Sequence, residues 1–186
     1  MYKLQYDHLR KFSSSEGYWS TIDCIKVANS IIDITKANSM LEIGFNIGYS
    51  AATWIQSGIK TLYIIDINYH PDTEAALHAT KETFTDVHVD WLLANSTHQI
   101  AKDWVIPTVD MAFIDGEHTF EATLSDSMLS IEKGAKWLAY DDVIEGHSNG
   151  IHAAIVKLEE QGLIDLIQAW PMTWTEQGYV VLVKVL

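Results

Sequence analysis

Residues able to do chemistry recur along this chain, each time just after a short apolar run. The first group is Glu42-Ile43-Gly44-Phe45-Asn46-Ile47-Gly48, and the second is Asp66-Ile67-Asn68. Asn95-Ser96, Asp115-Gly116-Glu117-His118 and Asp141-Asp142 follow. Glycines at a strand-to-helix turn let the backbone approach a ligand closely, and an acid ending the next strand can bind ribose hydroxyls. Together the first two groups point to a nucleoside-containing cofactor. A dinucleotide site would read G-x-G-x-x-G, whereas this turn reads E-x-G-x-x-x-G. Aligned on Gly44, Glu42 stands where the first glycine would be and Ile47 where the third would be. The spacing argues against NAD and for a cofactor without a pyrophosphate. A glycine turn serving only the fold is the plainer alternative, and Asp66 weighs against it.

The later groups are acidic. Asp115, Asp141 and Asp142 at neighbouring strand ends would repel one another, and each carboxyl would be pushed up unless a cation compensated. The alternative is that one of them caps a helix or faces solvent, a reading that presses hardest on Asp142. His118, three residues after Asp115, carries an imidazole able to take a proton. A supporting or surface histidine fits there equally well, and Glu117 either assists it or is solvated. His88-Val89-Asp90 is an H-x-D pair of the kind iron oxygenases use, but it opens its strand, away from the other groups. His147 and His152 flank a glycine-containing loop and read as solvent-facing or as acceptor contacts.

These groups need a scaffold, and the hydrophobic pattern supplies one. Residues 20–36 read as a helix with Ser20 and Asp23 in a capping-box pattern and with Ile22, Ile25, Ala28 and Ile32 on one face. Met40 to Ile43 reads as a strand, 49–57 as a helix stopped by Gly58, and Leu62 to Ile67 as a second strand. Pro71 suits the start of a helix running to about Phe84, with a third strand from Val87 to Leu93 and a short helix near 97–104. Val109 to Ile114 is a fourth strand. Thr119 can cap a helix whose Phe120, Leu124, Met128 and Ile131 share a face, with Gly134 beyond its end. Trp137 to Tyr140 is a fifth strand, followed by a helix lined by Ile151, Ile155 and Leu158 that ends before Gly162. Two strands close the chain, roughly 164–170 and 179–185. Alternating strands and helices, with strands apolar on both faces, predict an α/β fold, a Rossmann-like doubly wound sheet. The short connection between the last two strands makes one of them antiparallel. In such a sheet the ligand crevice lies at the carboxyl ends of the strands, where all five groups converge.

Composition narrows the function. With 186 residues, 48% apolar and 11% aromatic, the chain is expected to form a single folded domain rather than a disordered one. The net charge is −13 with no cluster of Lys or Arg, so nucleic acid is not expected as a partner. The lone Cys24 excludes an intrachain disulfide and any site built on several cysteines, and its helical apolar setting reads as a small buried residue. No stretch has the length of a membrane span, and no apolar leader opens the chain, so no membrane partner and a cytoplasmic location are expected.

Residues 40–52, Met-Leu-Glu-Ile-Gly-Phe-Asn-Ile-Gly-Tyr-Ser-Ala-Ala, closely resemble the cofactor loop of class I S-adenosylmethionine (SAM) methyltransferases, above all the metal-dependent catechol O-methyltransferase type. Phe113-Ile-Asp-Gly-Glu-His-Thr-Phe120 resembles the "FIDGDHSY" stretch of a related bacterial family, methyltransferase family 24, with sugar and macrolide O-methyltransferases. The resemblance implies a seven-stranded sheet in one methyltransferase domain, 1–186, with residues 1–38 as an N-terminal helical cap. It also implies that Glu42, Gly44 and Gly48 hold the methionine part of SAM, with Asn46 and Ser50 in the same loop. Asp66, with Asn68, matches the ribose acid, and Ser96, with Asn95, matches the residue beside the adenine. Asp115, Asp141 and Asp142 match a Mg²⁺ or other divalent-metal triad, with Asp115 also counted toward cofactor and catalysis. His118 stands where the catechol enzymes place a catalytic lysine. The expected activity is O-methylation of a small hydroxylated acceptor. A methyltransferase without metal, a SAM- or nucleoside-binding protein without methyl transfer and a SAM-degrading enzyme remain open as alternatives. Ser13 to Trp19, the 143–150 loop and the 170–178 connection, which Trp170 and Trp174 flank, are expected to wall the acceptor. A second subunit in a homo-oligomer could complete that wall.

Overall fold

In a computed structural model the described residues are 6–12, 19, 21–144, 150–172 and 178–186. Seven strands form one sheet: β1 (Ser39–Ile43), β2 (Thr61–Asp66), β3 (His88–Leu93), β4 (Met111–Ile114), β5 (Trp137–Ile144), β6 (Ile164–Pro171) and β7 (Gly178–Val185). Their order is β3-β2-β1-β4-β5-β7-β6. The first five are parallel, and β7 runs antiparallel to both β5 and β6. The helices are α1 (Ile22–Thr35), α2 (Tyr49–Ser57), α3 (Thr73–Thr83), α4 (Gln99–Asp103), α5 (Phe120–Glu132) and α6 (Gly150–Glu160). None of the described helices is long and apolar enough to cross a membrane.

The period-two alternation of the strands divides the core in two. Met40, Leu62, Ile64 and Phe113 pack on the side of α1, α2 and α3, with Trp54 and Leu77. Leu41, Ile65, Ile114 and Leu138 face the other side, against Leu129 of α5 and Ile155 of α6. Because both faces are covered, strand residues of either parity are apolar, as the parallel sheet requires. The chain winds outward from β1 to β3 and then returns to place β4 on the other flank of β1. That reversal opens a crevice between the β1 and β4 ends.

Several local expectations are corrected. Thr21, not Ser20, caps α1, its side chain accepting from the Cys24 amide at 3.3 Å; Ser20 lies outside the described residues. Ile22 is 69% exposed, and the buried face of α1 is Cys24, Ile25, Val27, Ala28 and Ile31, which keeps Ile25 and Ala28 of the expected set. α3 begins at Thr73, two residues after Pro71. Thr119 caps α5 as expected, but the helix buries Ala122, Thr123, Asp126, Ser127, Leu129 and Ser130, while Phe120, Leu124 and Ile131 are only partly covered and Met128 is exposed. Small and hydroxylated side chains let α5 lie close to the sheet, and Ser127 and Ser130 spend their hydroxyls on carbonyls one turn back. The fifth strand does not stop at Tyr140. β7 pairs with it again at Val143 and Ile144, so Asp141 and Asp142 sit inside β5 at a register shift, with Asp142 at φ 49°.

Candidate functional site

The polar strand ends open onto one cleft of about 780 Å³, a size typical of small-molecule sites. Its first wall is the turn from β1 to α2. Gly44 adopts φ +92°, and a Cβ there would fall 2.0 Å from the Asp115 carbonyl oxygen, so only glycine lets the β1 and β4 exits touch. Asp66 fastens the turn from the next strand: its Oδ2 accepts from the amides of Phe45 (2.8 Å) and Asn46 (3.0 Å), and its Oδ1 from Asn68 N (2.6 Å). Gly44, Asn46, Gly48 and Ser50 all line the cleft. Glu42 does not. It is fully buried beneath the turn, where Ser50 Oγ donates to its Oε1 at 2.5 Å. Its carboxyl is pushed well up by burial, opposed by the Ser50 hydrogen bond and reinforced by the charges of Asp115 and Asp66. Asn68 is exposed and also stays off the cleft wall.

The next wall is the turn after β3. Asn95 uses its Oδ1 to accept from Thr97 N (2.9 Å) and Thr97 Oγ1 (2.7 Å), which tightens the turn and presents Ser96 to the cleft. Behind Ser96 lies Asp126 of α5, only 1% exposed. Burial raises its carboxyl to about 6, a hydrogen bond from Ser96 opposing this and the charge of Glu117 adding to it. Asp126 was not expected at the site. The signal that could have found it is an acid at a position the fold buries, but the sequence alone assigned the apolar face of α5 elsewhere.

At the other end, β4 and β5 deliver the acids. His118 Nε2 lies 3.6 Å from Asp115 Oδ1, both side chains partly exposed. Gly150, at the start of α6, donates its amide to the His118 carbonyl at 2.7 Å, which anchors that turn. Asp141 is 4% exposed; its Oδ2 accepts the indole N–H of Trp19 at 2.5 Å, and its Oδ1 is buried with no hydrogen-bond partner. Burial first, then the charges of Asp115 and Asp142, push the Asp141 carboxyl well up. Asp115, Asp141 and Asp142 all border the cleft. Among the described residues, however, no three His, Cys, Asp or Glu side chains are gathered closely enough to hold a metal ion. As they stand, the expected triad does not fit one: Asp141 is engaged by an indole and Asp115 faces an imidazole.

Trp19 enters the site because its ring packs on Trp54 and Phe113, with centroids 5.2 and 4.8 Å away, and its carbonyl accepts from Thr53 Oγ1 at 2.6 Å. Of the rest of the expected acceptor wall, residues 13–18, 145–149 (with His147) and 173–177 (with Trp174) lie outside the described residues. Trp170 and His152 are partly buried and do not border the cleft. Ile67 and Tyr69, 58% and 85% exposed, line it without having been singled out. An apolar residue directly after the strand-ending acid was the available signal. His88 and Asp90 are exposed and remote from it, and Cys24 is buried, its thiol pushed up by burial to about 11.

No curated protein matches the sequence. Solved structures match the fold. An O-methyltransferase from Bacillus cereus in complex with SAH (S-adenosylhomocysteine) superposes with TM-score 0.68 at 16% identity over 94% of this chain and 85% of that one. The O-methyltransferase TomG from Streptomyces achromogenes, involved in tomaymycin synthesis and in complex with SAM, gives 0.68 at 16% over 89% and 80%. The N-methyltransferase NodS from Bradyrhizobium japonicum WM9 gives 0.59 at 13% over 86% and 95%. The family model of methyltransferase family 24, described as a methyltransferase domain, matches residues 41–148. With more than half of its length in that match, and the glycine turn and the Asp115–His118 turn both inside it, the chain belongs to this methyltransferase-domain family.

Proposed function

We propose that the protein is a SAM-dependent O-methyltransferase acting on a small hydroxylated acceptor. The observation that carries this reading is one cleft with the Asp66-fastened glycine turn at one end and the Asp115–His118 pair at the other. Bound SAM would supply a methyl group on a sulfonium, a good leaving group, so the protein has mainly to align and to accept a proton. Gly44 and Gly48 shape the turn that would hold the methionine part. Asp66 retains acceptor capacity beyond its three amide bonds for ribose hydroxyls, and Ser96 would border the base. Glu42 then acts from below, through Ser50, rather than by touching the ligand. As the acceptor oxygen bonds to the methyl carbon, the carbon–sulfur bond breaks, the sulfur leaves as a neutral thioether, and the hydroxyl proton needs a base. Asp115 beside Nε2 favours the His118 tautomer protonated there, which leaves Nδ1 to take that proton. The reading puts this chemistry in the cytoplasm, within one domain spanning 1–186.

A divalent cation at Asp115, Asp141 and Asp142 is the second reading. The buried, unpartnered Asp141 Oδ1 favours it; the Trp19 hydrogen bond to the other oxygen opposes it. The test of both is incubation with methyl-labelled SAM and a panel of hydroxylated sugars and phenols, with Mg²⁺ or with EDTA. Label recovered in an ether supports O-methylation, and equal rates in the two buffers reject the cation. SAM bound without transfer to any acceptor would leave a binding protein. Label released without an acceptor would mark a SAM-degrading enzyme.

A further inference from the structure

Asp126 has no part in the chemistry above, yet it stands directly behind the cleft. It is 1% exposed on α5, and its Oδ1 is buried with no hydrogen-bond partner among the described residues. Its Oδ2 reaches beneath the β4 exit, where a Cβ on Gly116 would stand 3.3 Å from it. Its hydrogen bond is with Ser96 of the β3 exit. Gly116 and Ser96 both border the cleft, whereas Asp126 does not. A carboxyl buried this far weakens the fold, and packing alone does not call for one. The backbone of Ser96 is already held by its neighbours. Ala94 donates its amide to the Asp66 carbonyl at 2.8 Å, and Asn95 closes the turn on Thr97. What those bonds leave undecided is where the Ser96 hydroxyl points its proton.

A hydroxyl has one proton and two lone pairs, while an ionised carboxylate only accepts. Burial raises the Asp126 carboxyl to about 6, with the charge of Glu117 adding to the effect, so it is ionised near pH 8. Tyr140, buried on β5 with its phenol pushed up, stays neutral beside it. The Ser96 proton is therefore drawn to Asp126, and only lone pairs of its oxygen face the cleft. On an adenine base the ring nitrogens accept, and the exocyclic amine alone donates. Resting on the SAM reading above, we propose that Asp126 is a positioning residue: it fixes Ser96 as an acceptor toward the cleft and so sets a preference for a purine that carries the 6-amino group.

The test is calorimetric titration of the full chain near pH 8 with SAH and with its analogue carrying hydrogen in place of the purine 6-amino group. The wild type is expected to hold SAH about tenfold tighter, the size of one hydrogen bond whose acceptor is otherwise left unpaired. In Asp126→Ala the Ser96 proton is free to turn toward the ring nitrogens, which both ligands offer, and the ratio should fall several-fold toward one. Asp126→Ser, too short to direct Ser96 but still polar, should do the same and serves if alanine fails to fold. Asp126→Asn keeps an oxygen for Ser96 and should keep the wild-type ratio. A residue that merely braced the two turns would, on truncation, weaken both ligands alike and leave the ratio unmoved. That result, or equal binding of the two ligands by the wild type, overturns the inference and leaves the methyltransferase reading intact. No binding of SAH by the wild type overturns that reading itself.

Discussion

His118 and Asp126 carry the predictions at the scale of single residues. Replacing His118 by Asn keeps a polar side chain but removes the proposed base. Methyl transfer is expected to fall by about 10²–10⁴ with SAH affinity unchanged, which initial rates and calorimetry would read separately; a parallel loss of binding would make His118 a cofactor contact instead. Asp126 makes a stability prediction. Its folded carboxyl sits near 6 against an ordinary 3.8, so the native state holds this proton more tightly than the unfolded chain. The associated stability is fully present below the ordinary value and is lost as pH rises toward and through 6. Two units correspond to about 3 kcal/mol at most. Asp126→Asn, which keeps the shape and an oxygen for Ser96, should unfold at higher urea than the wild type at pH 7 and lose this advantage near pH 4.

At the scale of elements, the site depends on how closely turns and helices approach. Gly44 is the contact between the β1 and β4 exits, and a Cβ would meet the Asp115 backbone while φ stays at +92°. Gly44→Ala is expected to cost more than about 2 kcal/mol and to abolish SAH binding, checked by thermal unfolding with and without SAH. Gly150 plays the same part between helices: a Cβ there would lie 1.8 Å from the Phe120 amide, at the N-terminus of α5. Gly150→Ala should push α6 away from the turn that its amide bonds at His118. Transfer then falls while SAH affinity holds, because the glycine turn is fastened by Asp66 at the end of β2, on the other flank of β1. Equal losses in both readouts would place the damage elsewhere.

For the whole molecule, charge is the property that matters. A chain of net charge −13, with a carboxylate-lined cleft, disfavours approach of anionic acceptors. Matched phenols bearing an ammonium, an alcohol or a carboxylate on the same side arm should be methylated in that order of kcat/KM. The spread should narrow with added salt, and a carboxylate that outperforms its amine would contradict this ordering.

The alternation of apolar runs and polar strand ends was enough to specify a doubly wound sheet and to bring five groups to one edge, because parity and helical period are local properties of the chain. The placement of Asp66, Ser96, Asp115 and His118 along the cleft was legible for the same reason: each lies at the end of its strand or within four residues of it. What the sequence left open concerns contacts between distant segments. That Glu42 points beneath the turn instead of into the cleft depends on which face of β1 meets Ser50 of α2. That β5 continues past Asp141 and Asp142 depends on β7 pairing with it at Val143–Tyr179 and Ile144–Gly178, contacts between segments distant in the chain. That Asp126 is buried follows from α5 packing through a face on which small and hydroxylated residues surround Leu129, a quarter-turn from the one the apolar spacing suggested. Above all, an indole rather than a fellow carboxylate engages Asp141 because Trp19, 122 residues away in sequence, is held there by Trp54 and Phe113. Only the packed tertiary structure fixes such pairings, since they are set by surface burial across the whole sheet and leave no period in the chain.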